Sequence, residues 1–210
     1  MCNLYRMTKT VDEVAQMFGV RSNAAGANLA AEIYPGYPGL VAESGILRQM
    51  IWGFPLQMRG AKGQLLKPRP VNNARTDKLN SGFWRPSFAA RRCLIPLTGW
   101  AEAQGPKGAM TRTWLSVPGA ELFAAAGVWR TSAEWGDVYS MVMTDAPGPA
   151  AEVHSRMPVV LHQDDHAAWL AGETEAALGL CRPWSGELSI DRTSQPWFAG
   201  SPTAAQGSLL

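Results

Sequence analysis

The chain has 210 residues, of which 46% are hydrophobic and 17% are charged, and its formal net charge is +2. This length and apolar fraction predict one globular domain with a substantial core and exclude a disordered polar chain. No apolar run is long enough to cross a bilayer and no leader segment is recognisable. We therefore expect a soluble, cytoplasmic monomer without a membrane partner.

The first predicted element is a short helix. Thr10 and Glu13 have the spacing of a capping box, apolar residues then follow at helical spacing, and Gly19 fits a C-terminal stop. These signals predict a helix over Val11–Phe18. Residues 21–31 are rich in small side chains, which indicates a loop, and the Tyr-Pro-Gly repeat of residues 34–39 indicates rigid turns.

Strands dominate the middle of the chain. They are predicted at residues 40–43, 49–54, 92–96, 111–117, 122–129, 138–144 and 158–161. Asp164 or Asp165 could cap a helix through residues 167–170, and another short helix is predicted around 174–180. Together these elements predict an α+β fold: a single domain over residues 1–195, with a mainly antiparallel, barrel-like β core and a few short flanking helices. Residues 196–210 are predicted to form a polar, flexible tail.

A strongly basic stretch runs from Arg59 to Arg92. It holds nine basic residues against one acid, Asp77, although the whole chain is almost neutral. Such a stretch is either a solvated face or a binding surface for an anionic partner. Because glycine, proline and aromatic residues are interleaved with the charges, nucleic acid is the leading candidate for that partner.

The three cysteines are odd in number and lie far apart. Cys93 and Cys181 lie in apolar surroundings, which predicts buried, unreactive thiols in a reducing compartment. The sequence has no Cys-x-x-Cys pair and no Cys/His cluster at zinc spacing, so it predicts neither a metal site nor a cofactor.

Cys2 has a chemistry that an internal cysteine lacks. Because cysteine is small, the initiator methionine is normally removed in front of it, which leaves a free α-amine beside the thiol. The amine, with a reference pKa of about 7.7–8.0, condenses with an aldehyde to an imine. The thiol then closes on the imine carbon in an intramolecular step and forms a thiazolidine ring. The alternative is an ordinary cysteine near a frayed terminus.

Polar side chains interrupt apolar segments at four further places, namely Asn73 with Arg75, Glu102, Thr144 with Asp145, and His154. Singly, each could be a turn, edge or loop residue. Together with Cys2 they form a set of complementary groups. The His154 imidazole can exchange protons near neutral pH, and the Glu102 carboxylate can orient an amine. The Asn73 amide can hold a hydroxyl or an imine, and Arg75 can bind a phosphate.

With these motifs the chain resembles the SRAP family, the SOS-response-associated peptidases that cross-link abasic sites. The matching stretches occur in the family's order and spacing. They are Met1-Cys2, Trp52-Gly53, Asn73-Ala74-Arg75 and the segments 91–96, 99–102, 126–129, 144–146 and 154–161.

The resemblance implies a thiazolidine cross-link between Cys2 and an abasic site in single-stranded DNA. In that mechanism Asn73 contacts the reacting sugar, Glu102 positions or deprotonates the α-amine, and His154 handles the proton at the sugar oxygen. The resemblance also implies a set of residues that bind the DNA. They are Arg75 on a phosphate, Trp52 and Pro35 against bases, and Thr144 and Arg156.

The chain departs from the family at its N-terminus. Most members begin Cys-Gly-Arg, whereas this chain has Cys2-Asn3-Leu4. A phosphate-binding arginine is therefore absent at position 4, where Arg6 or the basic stretch could substitute. The usual aromatic-Tyr-Glu segment is Trp100-Ala101-Glu102 in this chain.

Two other functions are compatible with an N-terminal cysteine. The protein could be an amide hydrolase with Cys2 as nucleophile, including an autopeptidase that removes the residue ahead of it. It could also be a non-enzymatic single-strand binder in which Cys2 is incidental.

Overall fold

The computed structural model of the protein describes residues 2–24, 27 and 29–197. Its helices are α1 (Val11–Phe18), α2 (Arg85–Ala90), α3 (Gly148–Val153), α4 (His166–Ala171) and α5 (Thr174–Gly179), with 3-10 turns at Thr76–Lys78 and Gln163–Asp165. Its strands are β1 (Leu4–Arg6), β2 (Arg21–Ser22), β3 (Glu32–Ile33), β4 (Pro38–Glu43), β5 (Ile46–Trp52), β6 (Phe54–Leu56), β7 (Arg69–Val71), β8 (Asn73–Arg75), β9 (Arg92–Leu97), β10 (Gly99–Gln104), β11 (Thr111–Ser116), β12 (Phe123–Ser132), β13 (Gly136–Asp145), β14 (Arg156–Pro158), β15 (Val160–Leu161) and β16 (Ser189–Pro196).

Five strands close into a barrel in the order β13, β12, β9, β4 and β5. Neighbours along that path are antiparallel, and the ring closes because β5 also pairs in parallel with β13, where Ile51 lies opposite Val138. Closure pairs the backbone N–H and C=O groups that an open sheet would leave unpaired at its edges. The predicted fold is therefore confirmed: an α+β domain with a mainly antiparallel, barrel-like core.

A second, fully antiparallel sheet has the strand order β16, β11, β10, β1 and β3. Because side chains alternate between the faces of a strand, Tyr5 and Trp100 join the main core, whereas Leu4, Ala101 and Trp114 form a small cluster on the opposite face. Glu102 has the same parity as Trp100, so the alternation directs it toward the core side of this sheet.

The predicted first helix is confirmed at both ends. Thr10 accepts a hydrogen bond from the Glu13 backbone while the Glu13 side chain accepts one from the Thr10 backbone, which completes the capping box. Gly19 ends the helix in the left-handed conformation, with φ of 63°. By contrast, Asp165 precedes α4 without a side-chain capping bond.

Several predicted boundaries differ from the observed ones, and three of these differences bear on the fold. The strand predicted over residues 49–54 is interrupted at Gly53, where φ is 120° and a Cβ would lie 2.4 Å from Pro70, so only glycine fits. The loop predicted over residues 21–31 begins with β2, which pairs in parallel with β5. Pro196, assigned to the flexible tail, belongs to β16 and pairs with Thr111; residues 198–210 of the predicted tail lie outside the described residues.

Candidate functional site

Cys2 lies just before β1 and is fully buried. Its Sγ donates to the Leu4 carbonyl at 3.4 Å, and its own carbonyl accepts hydrogen bonds from the side-chain amides of Asn72 (2.9 Å) and Asn73 (2.8 Å). Burial raises the pKa of the thiol well above its usual range, and the charge of Glu102 raises it further. The thiol is therefore protonated at neutral pH, and a reaction at sulfur has to move that proton.

Asn73 is held at the site by β8, which pairs in parallel with β13 so that Asn73 lies opposite Met141. Only 7% of the residue is exposed. Its Nδ2 donates a hydrogen bond to the Cys2 carbonyl. Its Oδ1 is buried and has no hydrogen-bond partner within the described part of the chain. An unpaired buried acceptor is costly, and it is available to a hydroxyl or N–H group of a ligand.

Glu102 lies inside β10, where it pairs across the sheet with Thr113. It is 3% exposed. Burial raises the pKa of its carboxyl to about 7, although the positive charge of the Met1 amino group lowers it. Near neutral pH the group therefore exists in both protonation states and is able to accept a proton and return it.

His154 directly follows α3. His154 Nδ1 lies 3.0 Å from the Arg156 backbone nitrogen and 3.1 Å from the Arg156 carbonyl oxygen. Because the backbone N–H is only a donor, the shorter contact makes Nδ1 the acceptor, and the neutral ring then carries its proton on Nε2. Burial lowers the pKa of the imidazole, and the charge of the terminal amine acts in the same direction. At pH 7 the ring is therefore neutral.

The four predicted catalytic residues come from separate segments and share one environment. Asn73 is hydrogen-bonded to Cys2, and Glu102 acts electrostatically on the Cys2 thiol. The positive charge at the amino terminus, which Met1 carries in this chain, lowers the pKa values of Cys2, Glu102 and His154 alike. The fold thus gathers a thiol, an amide, a carboxyl and an imidazole around the amino terminus.

Two arginines lie beside this group with an acid between them. Arg75 donates two hydrogen bonds to Asp77, from Nε at 2.9 Å and from Nη2 at 2.6 Å. Arg156 lies 3.8 Å from Asp77 and 3.7 Å from Asp145. A phosphate that binds these guanidinium groups has to compete with Asp77 for them.

A cavity of about 290 Å³ opens next to Asn73. Basic side chains of Arg69, Arg75 and Lys78 contribute to its lining, together with the aromatic ring of Phe83. Cations beside an aromatic surface suit a sugar–phosphate chain with an unstacked base. Pro35 lines a different cavity, of about 520 Å³, together with the surface residues Tyr37 and Lys67 and several prolines.

A model of the family described as SOS response associated peptidase (SRAP) matches residues 1–195 of the chain. The chain belongs to the SRAP family. The resemblance inferred from the order of its motifs is therefore confirmed, and membership of the SRAP family supports an association with DNA and with the response to DNA damage.

Solved structures share the fold of this SRAP chain. A protein from Bacteroides thetaiotaomicron has 19% identity and a TM-score of 0.76, and the match covers 91% of each chain. A protein from Bordetella bronchiseptica has 20% identity and a TM-score of 0.75, over 91% of this chain and 99% of that one. A phage-related protein from the same organism has 20% identity and a TM-score of 0.67, over 92% of this chain and 95% of that one. No curated protein matches the chain.

Two residues predicted to contact DNA in this SRAP protein are buried. Trp52 has no exposed surface, its ring packs edge-on against Tyr5 at 4.9 Å, and its Nε1 donates to the Asn72 carbonyl at 3.0 Å. Thr144 is 4% exposed within β13. Trp52 therefore has no ring surface open to a base in this structure, and Thr144 offers almost no surface to DNA.

The basic stretch is mostly, but not entirely, a free surface. Arg92 at its end is buried and donates to the carbonyls of Phe88, Trp169 and Gly172, which fastens α4 to the barrel. Arg75 is half-buried, and the other members are exposed: Arg59, Lys62, Lys67, Arg69, Lys78, Arg85 and Arg91. Burial of Arg92 removes it from the predicted DNA-binding set.

The N-terminal departure from the SRAP pattern has a structural consequence. Leu4 is fully buried in the small cluster with Ala101 and Trp114, and the Arg6 guanidinium lies 4.6 Å from the centre of the Trp114 ring. Arg6 is thus engaged in a cation–π contact on the outer face of the sheet. The suggestion that it replaces the missing phosphate-binding arginine gains no support from its position.

Sequence reasoning missed Asn72 and Asn3, although both contact the site. Asn72 Nδ2 donates to the Cys2 carbonyl at 2.9 Å and to Asn3 Oδ1 at 3.1 Å. The available signal was a second amide directly before Asn73.

The two other cysteines differ in burial. Cys93 is buried as predicted, whereas Cys181 is only partly buried, and burial raises the pKa of its thiol to about 12.

The described residues contain neither a candidate metal site nor a candidate membrane-spanning helix. Within residues 2–24, 27 and 29–197, three or more His, Cys, Asp or Glu side chains are nowhere grouped so as to hold a metal ion. In the same part of the chain, no helix is both long enough and apolar enough to span a membrane.

Trp52→Ala is expected to lower the free energy of unfolding by about 3–5 kcal/mol, the usual cost of removing a large buried aromatic side chain. It also removes the hydrogen bond to the Asn72 carbonyl. Thermal and denaturant melting measure the loss. An unchanged melting temperature together with weaker DNA binding would restore the base-stacking interpretation.

Proposed function

We propose that the protein captures abasic sites in single-stranded DNA as a covalent thiazolidine at Cys2. The observation that carries the proposal is the contact between the N-terminal cysteine and Asn73 inside a group that also holds Glu102 and His154. Neither a simple binder nor an inert terminus needs a buried carboxyl with a pKa of about 7 beside this cysteine.

The reaction begins once Met1 has been removed, because the α-amine of Cys2 is otherwise part of a peptide bond. The amine nitrogen attacks the aldehyde carbon of the ring-opened sugar, and water leaves to give an imine. Sγ then adds to the imine carbon, the C–N double bond becomes single, and the thiol proton ends on the nitrogen. The balance needs no oxidant, reductant or cofactor.

The protonation states of the site suit this order of steps. The Glu102 carboxylate, which forms near pH 7, accepts a proton from the α-ammonium and releases the nucleophile. Because burial keeps the Cys2 thiol protonated, sulfur attacks second and delivers its proton as it closes the ring. Nε2–H of His154 donates to the sugar oxygen during ring opening, and Asn73 Oδ1 accepts a hydrogen bond from the reacting sugar.

The surface beside Asn73 supports single-stranded DNA as the partner. The exposed members of the basic stretch supply charge, and the cavity lined by Arg69, Arg75, Lys78 and Phe83 offers a place for a nucleotide next to the lesion. The surface cavity that includes Pro35 and Tyr37 offers an apolar contact for a neighbouring base.

The direct test is incubation with a single-stranded oligonucleotide that carries one abasic site, followed by a denaturing gel. Intact mass first establishes that the protein begins at Cys2. A heat-stable covalent band is expected with the abasic strand, and none with an undamaged strand or one whose aldehyde has been reduced to an alcohol. Absence of the band with mature, folded protein rejects the proposal.

An autopeptidase that releases Met1 is a second candidate, favoured by the peptidase in the family description and by the buried Glu102 carboxyl beside Cys2. It is separable from cross-linking, since purified protein that retains Met1 should then lose it on incubation. Release of Met1 without a cross-link would make the hydrolase the better interpretation.

Opposite changes in DNA binding are expected from substitutions at the Arg75–Asp77 pair. Arg75→Ala should weaken binding to all sequences and make the log–log salt slope shallower by about 0.7, the value for one phosphate on a single strand. Asp77→Asn should tighten binding and steepen the slope, because Asp77 pairs with both Arg75 and Arg156.

The measurement is a titration of undamaged single-stranded oligonucleotide at several salt concentrations. Asp164→Asn is the matched control, since it removes the same charge from the turn before α4. If Asp77→Asn changes affinity and slope no more than Asp164→Asn does, the two arginines are not phosphate ligands.

A further inference from the structure

Two asparagine side chains converge on one backbone oxygen at the candidate site. The Cys2 carbonyl accepts from Asn72 Nδ2 at 2.9 Å and from Asn73 Nδ2 at 2.8 Å. An ordinary strand needs no such pair, because its carbonyls are satisfied by the neighbouring strand. The arrangement holds the backbone of Cys2 by side chains at the point where the chain enters β1.

Asn72 is itself fixed from two directions. Its carbonyl accepts the Met141 backbone N–H of β13 at 3.0 Å and the Trp52 indole N–H at 3.0 Å. Trp52 is fully buried and packs against Tyr5 of β1. The buried tryptophan thus links Asn72 to the strand that follows Cys2, which is a structural use for a side chain predicted to stack on DNA.

The same Asn72 amide reaches Asn3. An amide group has two N–H donors, and Nδ2 of Asn72 donates to Asn3 Oδ1 at 3.1 Å as well as to the Cys2 carbonyl. Asn3 and Asn72 therefore connect the amino-terminal segment to the junction of β7 and β8.

We propose that Asn72 is a positioning residue for the Cys2 aminothiol, with Asn3 as its second anchor. The Cys2 Cα carries the amine, the Cβ–Sγ arm and this carbonyl. Holding the carbonyl restricts rotation about the Cα–C bond, and so limits the directions in which amine and sulfur point. Orientation of this kind accelerates both addition to an aldehyde and ring closure. The inference rests on the proposed aminothiol chemistry.

The experiment compares three variants that mass spectrometry shows to begin at residue 2. Asn72→Leu keeps the side-chain size and removes both donors, Asn3→Gly removes only the second anchor, and Asn23→Leu makes the same change at an exposed asparagine after β2. Each is assayed for cross-linking at saturating abasic oligonucleotide, for the half-saturating concentration, and for thiazolidine formation with a small aldehyde followed by intact mass.

Asn72→Leu is expected to slow both reactions about 2- to 10-fold, the range for losing one net hydrogen bond, with an unchanged half-saturating concentration. Asn3→Gly should cause a smaller slowing and Asn23→Leu none. A rate within twofold of the parent for folded Asn72→Leu, or an effect confined to half-saturation, overturns the proposal.

The small-aldehyde assay separates two kinds of failure. If the parent protein forms the thiazolidine with the small aldehyde but never cross-links DNA, the proposed function fails while the positioning role is still measured. If the parent does both and Asn72→Leu matches it in both, only the positioning role fails. A lower melting temperature with unchanged rates also counts against it, because it assigns Asn72 a purely structural part.

Discussion

Cys2→Ala, in protein that begins at residue 2, is expected to abolish the stable cross-link to abasic DNA. The amine survives this change and still forms an imine, but without sulfur the thiazolidine ring is unable to close. A weak product that persists only after borohydride reduction is therefore expected. The denaturing gel with and without borohydride distinguishes the imine from the ring.

Cys181→Ala is the matched control for this experiment. Cys181 is a partly buried cysteine beside α5, and its substitution removes a thiol without touching the amino terminus. It should retain the full heat-stable band. A heat-stable cross-link from Cys2→Ala, of the same yield as that from Cys181→Ala, would eliminate the thiazolidine mechanism.

Glu102→Gln is expected to slow cross-linking by about 10²–10⁴-fold, the usual contribution of one positioned acid or base. Its carboxyl has a pKa of about 7, so the carboxylate that accepts the ammonium proton accumulates as the pH rises through that value. The parent rate should rise across this range, whereas the Glu102→Gln rate should rise only at the higher pH at which the α-amine deprotonates by itself, near its reference pKa of about 7.7–8.0. Single-turnover rates across the range from acidic to mildly alkaline pH give both profiles.

His154→Ala should also slow the reaction but keep the rise near pH 7, because burial keeps the imidazole neutral at that pH and the titrating group is Glu102. Glu43→Gln is the control for Glu102→Gln. Glu43 is a second buried acidic residue, and it pairs with Arg48 at 2.8 Å in the barrel. If folded Glu102→Gln reacts like the parent, Glu102 is only a structural residue.

Thermal stability provides a second measure of the same group. The folded-state pKa of Glu102 is raised above its unfolded value of about 4.3, so its protonation stabilises the folded state. That contribution is fully present below about pH 4.3 and is lost as the pH rises through about 7. The melting temperature of Glu102→Gln should therefore fall less between these limits than that of the parent.

Much of the fold and of the candidate site could be predicted from local signals. The capping box at Thr10 and Glu13 defines α1 because both partners lie within one helical turn. Long apolar runs such as those of β12 and β13 identify barrel strands by their composition alone. The aminothiol chemistry of Cys2 follows from its position in the chain, and the order of the motifs indicates the family.

Only the tertiary structure decided which of these residues are accessible and how they titrate. Trp52 and Arg92 have the sequence character of DNA-binding residues, yet distant segments bury the first against Tyr5 and the second against α4. Burial is a sum over contacts from many parts of the chain, and no local pattern encodes that sum.

The same reason applies within the site. The raised pKa of Glu102 and the hold of Asn72 on Cys2 arise where β1, β7, β8 and β10 converge, across sequence separations far longer than any periodicity spans. The sequence alone therefore determined the reactive group and the family. The three-dimensional fold determined the environment in which that group reacts, because desolvation and orientation exist only once distant strands have packed together.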